Sequence, residues 1–336
     1  MNTAWLALSK SSSTNVGWQT SRATTEVLRL TGHRSSKKCA FCRGRSSSLR
    51  LEETKLLSET TARITTSQIV IESGKADFGL GLAEAWRYRE LLFFLAWRDI
   101  RLRYKQTALG ATWAIIQPLF AMILFTIVFG RVARIPSDNI PYALFAYAGL
   151  VPWTFFSNAI TNSANSLIGS TSLITKVYFP RMIIPLAPVL AGLLDLAIAL
   201  LLLIPLIFYY GIIPSWHLLL LPLFILLTTV LAFGVGMFMA ALNVKYRDVR
   251  YALPFLVQLW LFASPVIYPL SILRGKWKFL LALNPMTGII EGFRSSLVPR
   301  PFDWGTIGVS VIVTFLIVFI SIYEFQRVED GFADVI

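Results

Sequence analysis

Long runs without a charged side chain constrain the fold of this chain more than any other feature. Four stretches contain no Asp, Glu, Lys or Arg: 106–130, 139–175, 251–273 and 304–323. Between residues 182 and 244 the only such residue is Asp195. A helix that crosses the hydrocarbon core of a membrane needs about 20 mostly apolar residues. Each of the four runs is therefore long enough to span a bilayer once, and the stretch around Asp195 is long enough for two spans.

These runs predict an all-α integral membrane protein with six transmembrane helices. The predicted spans are 109–131, 140–164, 183–210, 216–242, 252–272 and 304–323. The third and fourth are separated by YYGIIPSWH, residues 209–217, whose glycine, proline and aromatic residues indicate a turn at the lipid headgroups. Only 15% of the residues are charged, against about 25% in soluble domains, which agrees with this interpretation.

The first 75 residues have a different composition, with 12 Lys and Arg against 5 Glu and many Ser and Thr. Such a segment cannot bury enough apolar surface to offset its ordering entropy. We therefore predict that residues 1–68 are a disordered or non-native extension. The pair Cys39 and Cys42, with His33 upstream, is short of the four ligands of a structural zinc site. We expect the chain to bind neither a metal nor a cofactor.

The segment before the first span has the periodicity of a surface helix. Four apolar side chains recur at helical spacing in one stripe about 60° wide: Phe93, Trp97, Ile100 and Tyr104. Its basic residues include Arg98, Arg101 and Lys105. We predict that this amphipathic helix lies in the membrane interface, with its aromatic stripe toward the acyl chains and its cations against anionic headgroups. A positive flank alone would explain the charges but not the stripe.

The distribution of Lys and Arg predicts the orientation, because these residues are enriched in cytoplasmic loops. They precede the first span and follow the second and the fourth, which places all three clusters on one side of a six-span protein. We predict that both termini are cytoplasmic. The loop at 273–303 is an exception, since it carries several Lys and Arg on the other side.

Four stretches, in this order, resemble the ABC-2 type transporter permeases that export O-antigen, capsule or teichoic acid polysaccharides. They are WRDIRLRYKQTALGATWAIIQP, ITKVYFPR, NVKYRDVRYALPFLVQLWLFASPVIYP and NPMTGIIEGFR, which begin at residues 97, 174, 243 and 284. The ending RVEDGFADVI resembles the C-terminus of that family. The resemblance covers residues 69–336. It implies an interface helix within 69–108, a six-span domain at 109–323 and a cytoplasmic tail at 324–336.

The resemblance also implies partners. The chain would pair with a second copy of itself and with two copies of a separate ABC ATPase. It would act among the lipids of the bacterial cytoplasmic (inner) membrane on a lipid-linked polysaccharide, and not on nucleic acid. No G-x-x-x-x-G-K-[ST] phosphate loop occurs in the sequence. We therefore expect no enzyme in this chain, and expect ATP to be bound and hydrolysed by the partner.

A channel through the membrane is implied by the same resemblance, lined by the first and fifth spans. Aromatic rings can stack on pyranose rings without demanding one fixed pattern of hydroxyls, which suits a sliding polymer. The channel residues predicted on this basis are Trp113, Gln117, Phe120, Trp260, Phe262 and Tyr268. The alternative for each aromatic residue is a place in the interfacial belt.

Two further sites are implied by the resemblance. Coupling to the ATPase would use the two basic loops, with Ile174, Lys176, Tyr178, Arg181, Lys245 and Arg247. In the second loop, pairing of Arg247 with Asp248 or with headgroups is an equally good explanation, since surface ion pairs are common and weak. Two short re-entrant helices would form an outer gate that includes Asn284, Pro285, Glu291 and Arg294.

Asp195 is the one acid within the predicted spans, about 20 Å along a helix from Arg181. An intramembrane acid is a candidate for function, for example in a proton path. It can also hydrogen-bond a neighbouring helix, and we favour this structural role because the resemblance implies ATP as the energy source.

Two other functions compete with polysaccharide export. One is an ABC-2 permease for a drug or a small lipid. The other is a membrane-embedded glycosyltransferase, which would need acidic or histidine groups for catalysis or metal binding. The predicted spans offer only Asp195 and, near the interface, His217. This composition disfavours the enzyme.

Overall fold

The computed structural model describes residues 86–105, 112–138, 140–174, 176, 179–212, 215–273 and 275–329. All of them belong to the unit Gly74–Ile336. The predicted extension 1–68, with Cys39 and Cys42, lies outside the described residues, as do residues 330–336 of the predicted tail.

The described residues contain helices and no strand. The α-helices are α1 (Arg89–Lys105), α2 (Thr112–Phe125), α3 (Tyr142–Gly169), α4 (Thr171–Ile174), α5 (Ile183–Tyr209), α6 (Leu221–Lys245), α7 (Val249–Phe262), α8 (Lys276–Ala282), α9 (Pro285–Leu297) and α10 (Trp304–Glu329). A π-helix, Thr126–Val132, extends α2, and 3₁₀ turns occur at Trp216–Leu220 and Leu270–Ile272. The predicted all-α class is confirmed.

Five helical stretches are long and apolar enough to cross a membrane. They are Thr112–Val132, Tyr142–Gly169, Ile183–Tyr209, Trp216–Lys245 and Trp304–Glu329. They coincide with five of the six predicted spans, and several exceed the predicted limits by a few residues because α-helices continue beyond the hydrocarbon core. The chain is therefore a multi-pass membrane protein.

The fifth predicted span, 252–272, is wrong as a continuous helix. The helix there, α7, has 14 residues and ends at Phe262, so it is about 21 Å long against a hydrocarbon core of about 30 Å. Pro265 explains the stop, because a proline disfavours the α conformation of the residue before it and has no N–H to donate. Turns over 263–268 follow.

Helix α3 is the centre of the bundle. It packs against α2, α5, α6, α7 and α9, and 78% of its most apolar window is buried. Its core side chains include Phe145, Tyr147 and Phe156, each 1% exposed or less. Helix α3 therefore lies inside the bundle, in contact with most of the other helices.

Helix α2 is the opposite case, since only 6% of the apolar window in Thr112–Val132 is buried. Large side chains such as Phe120 and Leu124 are more than half exposed. This face must be covered by lipid or by another protein chain, because water would not cover so large an apolar area.

A second hydrophobic cluster lies at one end of the bundle. It joins Leu95 of α1 to the end of α3, the start of α5, the end of α6 and the end of α10 through Leu167, Ile183, Val244 and Phe325. Helix α1 packs mainly along α5. This end, which we call the α1 end, therefore gathers the loops that carry most of the basic residues.

Helix α9 is almost wholly buried, and two glycines allow it to approach its neighbours. A Cβ atom at Gly288 would lie 2.7 Å from the carbonyl oxygen of Thr306 in α10 and would collide with the hydroxyl of Ser310. A Cβ atom at Gly292 would collide with the ring of Phe224 in α6. Neither backbone could remain in place with a larger residue.

We expect Gly288→Ala to lower the free energy of unfolding by about 2 kcal/mol, because overpacking forces side chains and backbone to move. Gly308→Ala is the matched control, since nothing lies within 4 Å of a Cβ atom at that position of α10. It should leave the stability unchanged or raise it slightly. Thermal unfolding in detergent would compare the two variants, and equal effects would contradict the close packing of α9.

Candidate functional site

Asn284 joins the broken end of α7 to the start of α9. Its Nδ2 donates to the carbonyl oxygen of Ala263 at 3.0 Å and to Ser264 Oγ at 2.9 Å, and its Oδ1 accepts from Trp260 Nε1 at 3.0 Å. The same Oδ1 accepts from the backbone N–H of Met286 at 3.1 Å. Asn is a favoured N-cap and Pro285 suits the first helical position, so the local sequence specifies this helix start.

Arg294 is the largest fully buried side chain among the described residues, at 1% exposure. Its guanidinium donates to the carbonyl oxygens of Pro265 at 2.6 Å, Val266 at 2.8 Å and Phe145 at 3.3 Å. It also pairs with Glu291 Oε1 at 3.1 Å and stacks over the Phe145 ring at 3.6 Å from its centroid. Carbonyls left without partners where α7 ends thus receive their donors from α9.

This role of Arg294 was missed from the sequence, which implied only a residue of the outer gate. The two short helices predicted there are present as α8 and α9, while their function as a gate stays a prediction. The sequence feature that could have predicted a buried Arg294 is Glu291, three residues earlier, because this spacing pairs charges on one face of a helix. That pair lies within an otherwise uncharged helix.

Two ion pairs hold the segments at the end opposite the α1 end. Arg300 Nη2 lies 2.6 Å from Asp138 Oδ2, and Ser271 Oγ donates to Asp138 Oδ1 at 2.6 Å. Lys278 Nζ lies 3.2 Å from Asp303 Oδ2. Burial alone would raise the pKa of Asp138, but the hydrogen bond from Ser271 and the ion pair with Arg300 lower it below its ordinary value.

The lowered pKa of Asp138 predicts an acid-sensitive contribution to stability. A carboxyl with a depressed folded pKa stabilises the protein above its unfolded pKa of about 4 and loses this effect as the pH falls through the folded value. Asp138→Asn should therefore lower the free energy of unfolding by about 1 kcal/mol at pH 7. The difference from the parent should shrink below about pH 4 in thermal unfolding. A difference that does not change with pH would contradict this.

The six predicted channel residues fall into two groups. Trp113 and Phe120 of α2 and Phe262 of α7 are each more than half exposed, and Gln117 is exposed beside them. Trp260 and Tyr268 are half-buried instead. Trp260 packs edge-on against Phe156 with 5.1 Å between ring centroids, and Tyr268 donates its hydroxyl to the Phe262 carbonyl at 3.1 Å. Their part in a channel stays a prediction.

A cavity of about 270 Å³ lies between α1, α2, α3 and α5. It is lined by Trp113, Gln117, Thr154, Asn158, Asn162 and Asp195, among others. Arg103 Nη1 forms an ion pair with Asp195 Oδ2, and the Tyr104 hydroxyl donates to Asp195 Oδ1. Asp195 thus binds a neighbouring helix, as the structural interpretation expected.

The predicted interface helix corresponds to α1, but the four residues of its predicted stripe do not share one environment. Phe93 and Trp97 are exposed and stack with 6.4 Å between ring centroids, and Arg101 lies 5.4 Å from the Trp97 ring. Ile100 is half-buried. Tyr104 does not face the lipid with the others, because its hydroxyl donates to Asp195. Lys105 is exposed, and Arg98 pairs with Asp99 at 2.9 Å.

The predicted coupling residues lie in the two loops at the α1 end. Lys176, Lys245 and Arg247 are exposed, whereas Ile174 is half-buried at the end of α4. Tyr178 lies outside the described residues. Arg181 anchors its loop, because its guanidinium donates to the Glu329 carbonyl and its backbone N–H donates to Glu329 Oε1 at 3.3 Å. Among ion pairs of the described residues, none joins Arg247 to Asp248.

Comparison with known proteins agrees with this architecture. Residues 90–298, more than half of the chain, match the family model described as ABC-2 type transporter. The chain is similar to the O-antigen export system permease protein RfbA of Myxococcus xanthus, with 33% identity over 214 residues, or 63% of this chain and 82% of the relative. A Klebsiella pneumoniae protein of the same name is 27% identical over 74% of this chain and 95% of the relative.

The polysialic acid transport protein KpsM of Escherichia coli is 26% identical over 250 residues, or 70% of this chain and 92% of the relative. These three relatives are named as transport proteins. The match to the family model extends from the start of α1 to just beyond the end of α9. The chain therefore belongs to the ABC-2 type transporter family.

Proposed function

We propose that this chain is the permease subunit of an ABC transporter that exports a lipid-linked polysaccharide across the bacterial cytoplasmic (inner) membrane. The observation that carries this proposal is the alignment with two O-antigen export permeases over 82% and 95% of their lengths. Members of other transport classes can share a fold, so the length of these alignments matters more than the family alone.

Energy would come from a separate ATPase subunit, present in two copies beside two copies of this chain. The lack of a phosphate loop in the sequence supports this arrangement. The exposed cations Lys176, Lys245 and Arg247 at the α1 end offer a surface for docking it. A second copy would cover the part of the apolar face of α2 that does not line the channel, because the single chain leaves this face exposed. We propose no cofactor for the chain itself.

Both termini would face the cytoplasm. Helix α1, the loops after α3 and α6, and the end of α10 share the α1 end, and its basic residues favour the cytoplasmic side. The channel would run along the exposed faces of α2 and α7, where Trp113, Phe120 and Phe262 present their rings. The helices α8 and α9 at the other end would form the outer gate.

The test combines purification with an export assay. A tagged chain expressed with its neighbouring genes should recover an ATPase in equal number, and the chain alone should not hydrolyse ATP. Deletion of the gene in its source should abolish the surface glycan and leave lipid-linked polymer inside the cell. ATP hydrolysis by the chain alone would refute the half-transporter. Unchanged surface glycan, with a drug or a small lipid retained instead, would favour the other class of ABC-2 permease.

A further inference from the structure

Helix α3 carries a polar stripe on its one accessible face. Thr154, Asn158, Asn162 and Ser166 follow one another at intervals of four residues, which places them along one side of a helix. Asn158 and Asn162 are exposed, although α3 is otherwise the most buried helix of the bundle. Polar side chains at this depth of a membrane protein line a cavity or a contact.

The stripe forms the floor of a continuous groove. The cavity of about 270 Å³ described above adjoins a second of about 290 Å³, and both are lined by Arg103 and Asn162. Helices α1 and α5 form one wall and α2 forms the other. The groove runs from Gly169 at the α1 end to Thr154, more than halfway toward the start of α3. Its volume suits a small ligand rather than a single water molecule.

The charges of the groove are balanced. Arg103 of α1 pairs with Asp195 of α5 within one wall of the groove, and Arg98 pairs with Asp99 at 2.9 Å. No cation among these lining residues is left over to neutralise a phosphate, and no carboxylate is left over for a metal ion or an amine. The groove therefore selects against charged ligands and admits a neutral polar one.

Three carboxamides supply the binding groups. Asn158 and Asn162 of α3 and Gln117 of α2 line the groove, and none of them makes a side-chain hydrogen bond within the described part of the chain. By contrast, the neighbouring Asn165 is engaged, with Thr161 at 2.7 Å and with Asn243 at 3.4 Å. A carboxamide offers both N–H donors and a C=O acceptor, so it matches hydroxyl groups that donate and accept at once.

An aromatic face completes the groove. Trp113 lies in the same wall as Gln117, one helical turn earlier, and is 52% exposed. An indole ring packs against the apolar C–H face of a flat ring while its edge remains available to polar groups. Free carboxamides opposite an indole, in a groove without net charge, form a surface complementary to a pyranose ring.

We propose that this groove binds a neutral pyranose unit within each chain. The inference rests on the proposed function, since it names a sugar-binding site inside the permease, but the groove lies among the helices of one copy. The ring could belong to the glycan being exported or to the headgroup of a membrane glycolipid. Both sources share the same ring chemistry, and the experiment separates them.

Site-directed labelling tests the proposal on the full chain in membrane vesicles. Ala114→Cys places a thiol in the groove, after Cys39→Ser and Cys42→Ser remove the native thiols. A polar maleimide should label it, because polar side chains line the groove. Three additions are compared: maltotriose, a monoglucosyl diacylglycerol, and phosphatidylglycerol with the same acyl chains. We expect at least a fivefold slower reaction with maltotriose, with the glucosyl lipid, or with both, and no change with phosphatidylglycerol.

The identity of the protecting sugar assigns its source. Protection by maltotriose points to a free glycan, and protection by the glucosyl lipid alone points to a ring attached to lipid. Combining Asn158→Leu with Asn162→Leu should keep the labelling and abolish the protection, whereas Asn162→Gln, which retains the carboxamide, should keep both.

Four results would overturn the proposal: no labelling of the thiol, no protection by either sugar, equal protection by phosphatidylglycerol, or protection that survives the double Leu substitution. The surface glycan is measured in the same strains. If export continues while no sugar protects the thiol, the groove assignment fails and the export function stands. If the strain exports no glycan even with the parent chain, the export function itself fails.

Discussion

Replacing Arg294 by Leu should destabilise the protein more than any other single change considered for this chain. The substitution leaves the carbonyls of Pro265, Val266 and Phe145 without donors and leaves Glu291 without its partner. Each unsatisfied buried group costs about 1–3 kcal/mol, and breaking a buried ion pair costs about 3–5 kcal/mol. Because the penalties overlap, we expect a loss of about 4 kcal/mol, a large fraction of the stability of a typical protein.

Arg300→Leu is the matched control for this prediction. Arg300 follows in the same segment and pairs with Asp138, but its side chain is 22% exposed, so its loss should cost only about 1 kcal/mol. Arg294→Lys keeps the charge but cannot reach three carbonyls with one ammonium, and should fall between the two. Size-exclusion chromatography after heating would rank the three variants. If the Arg294→Leu protein is as resistant to heat as the parent, Arg294 does not stabilise the turns after α7.

Export should fall at least tenfold when Trp113 and Phe120 are both changed to Ala, while the amount of assembled complex stays the same. Both side chains are more than half exposed in the single chain, so their truncation removes little packing. Their rings would be lost as a stacking surface for the passing sugars. Trp113→Phe combined with the native Phe120 keeps a face at each position and should retain most of the export.

The expected result at Trp260 is different, because this side chain is packed in the protein. Trp260 packs on Phe156 and donates to Asn284, so Trp260→Ala should cost about 3 kcal/mol and reduce the complex itself. Phe208→Ala on α5 is the control for an exposed ring outside the predicted channel, since Phe208 is 68% exposed. Surface glycan per complex is the measurement. If the Trp113 and Phe120 variant exports as well as the Phe208 variant, these rings belong to the lipid belt.

Most of the helices could be predicted from the sequence, but the end of α7 and the turns that follow it could not. Uncharged runs fix where a chain can cross lipid, because every charge in the hydrocarbon core is costly. Uncharged runs do not predict whether a helix ends within the run, as α7 does at Phe262. The turns after Phe262 are stabilised by Asn284 and Arg294, which come 20 to 30 residues later in the chain. A local pattern cannot reveal donors that distant.

Asp195 illustrates the same limit for the candidate site. Its place within an apolar helix predicted a hydrogen bond to a neighbour, and the structure confirms one. The partners, Arg103 and Tyr104, lie more than 90 residues earlier in α1. Tyr104 was assigned to the lipid-facing stripe from its spacing alone, and spacing cannot tell which member of a stripe a distant acid will bind.

The central place of α3 has a consequence for the biosynthesis of the protein. Its most apolar window has a mean hydropathy of 1.3, against 2.0 to 2.6 for the other four spans, so it is the least able to partition into lipid unaided. The ribosome completes α3 before α5, α6 and α9, which later surround it. We therefore expect the nascent second span to stay beside the insertion machinery until its neighbours are made. A chain that terminates before α9 would leave Phe145 and the α3 core around it uncovered and accessible to cellular proteases.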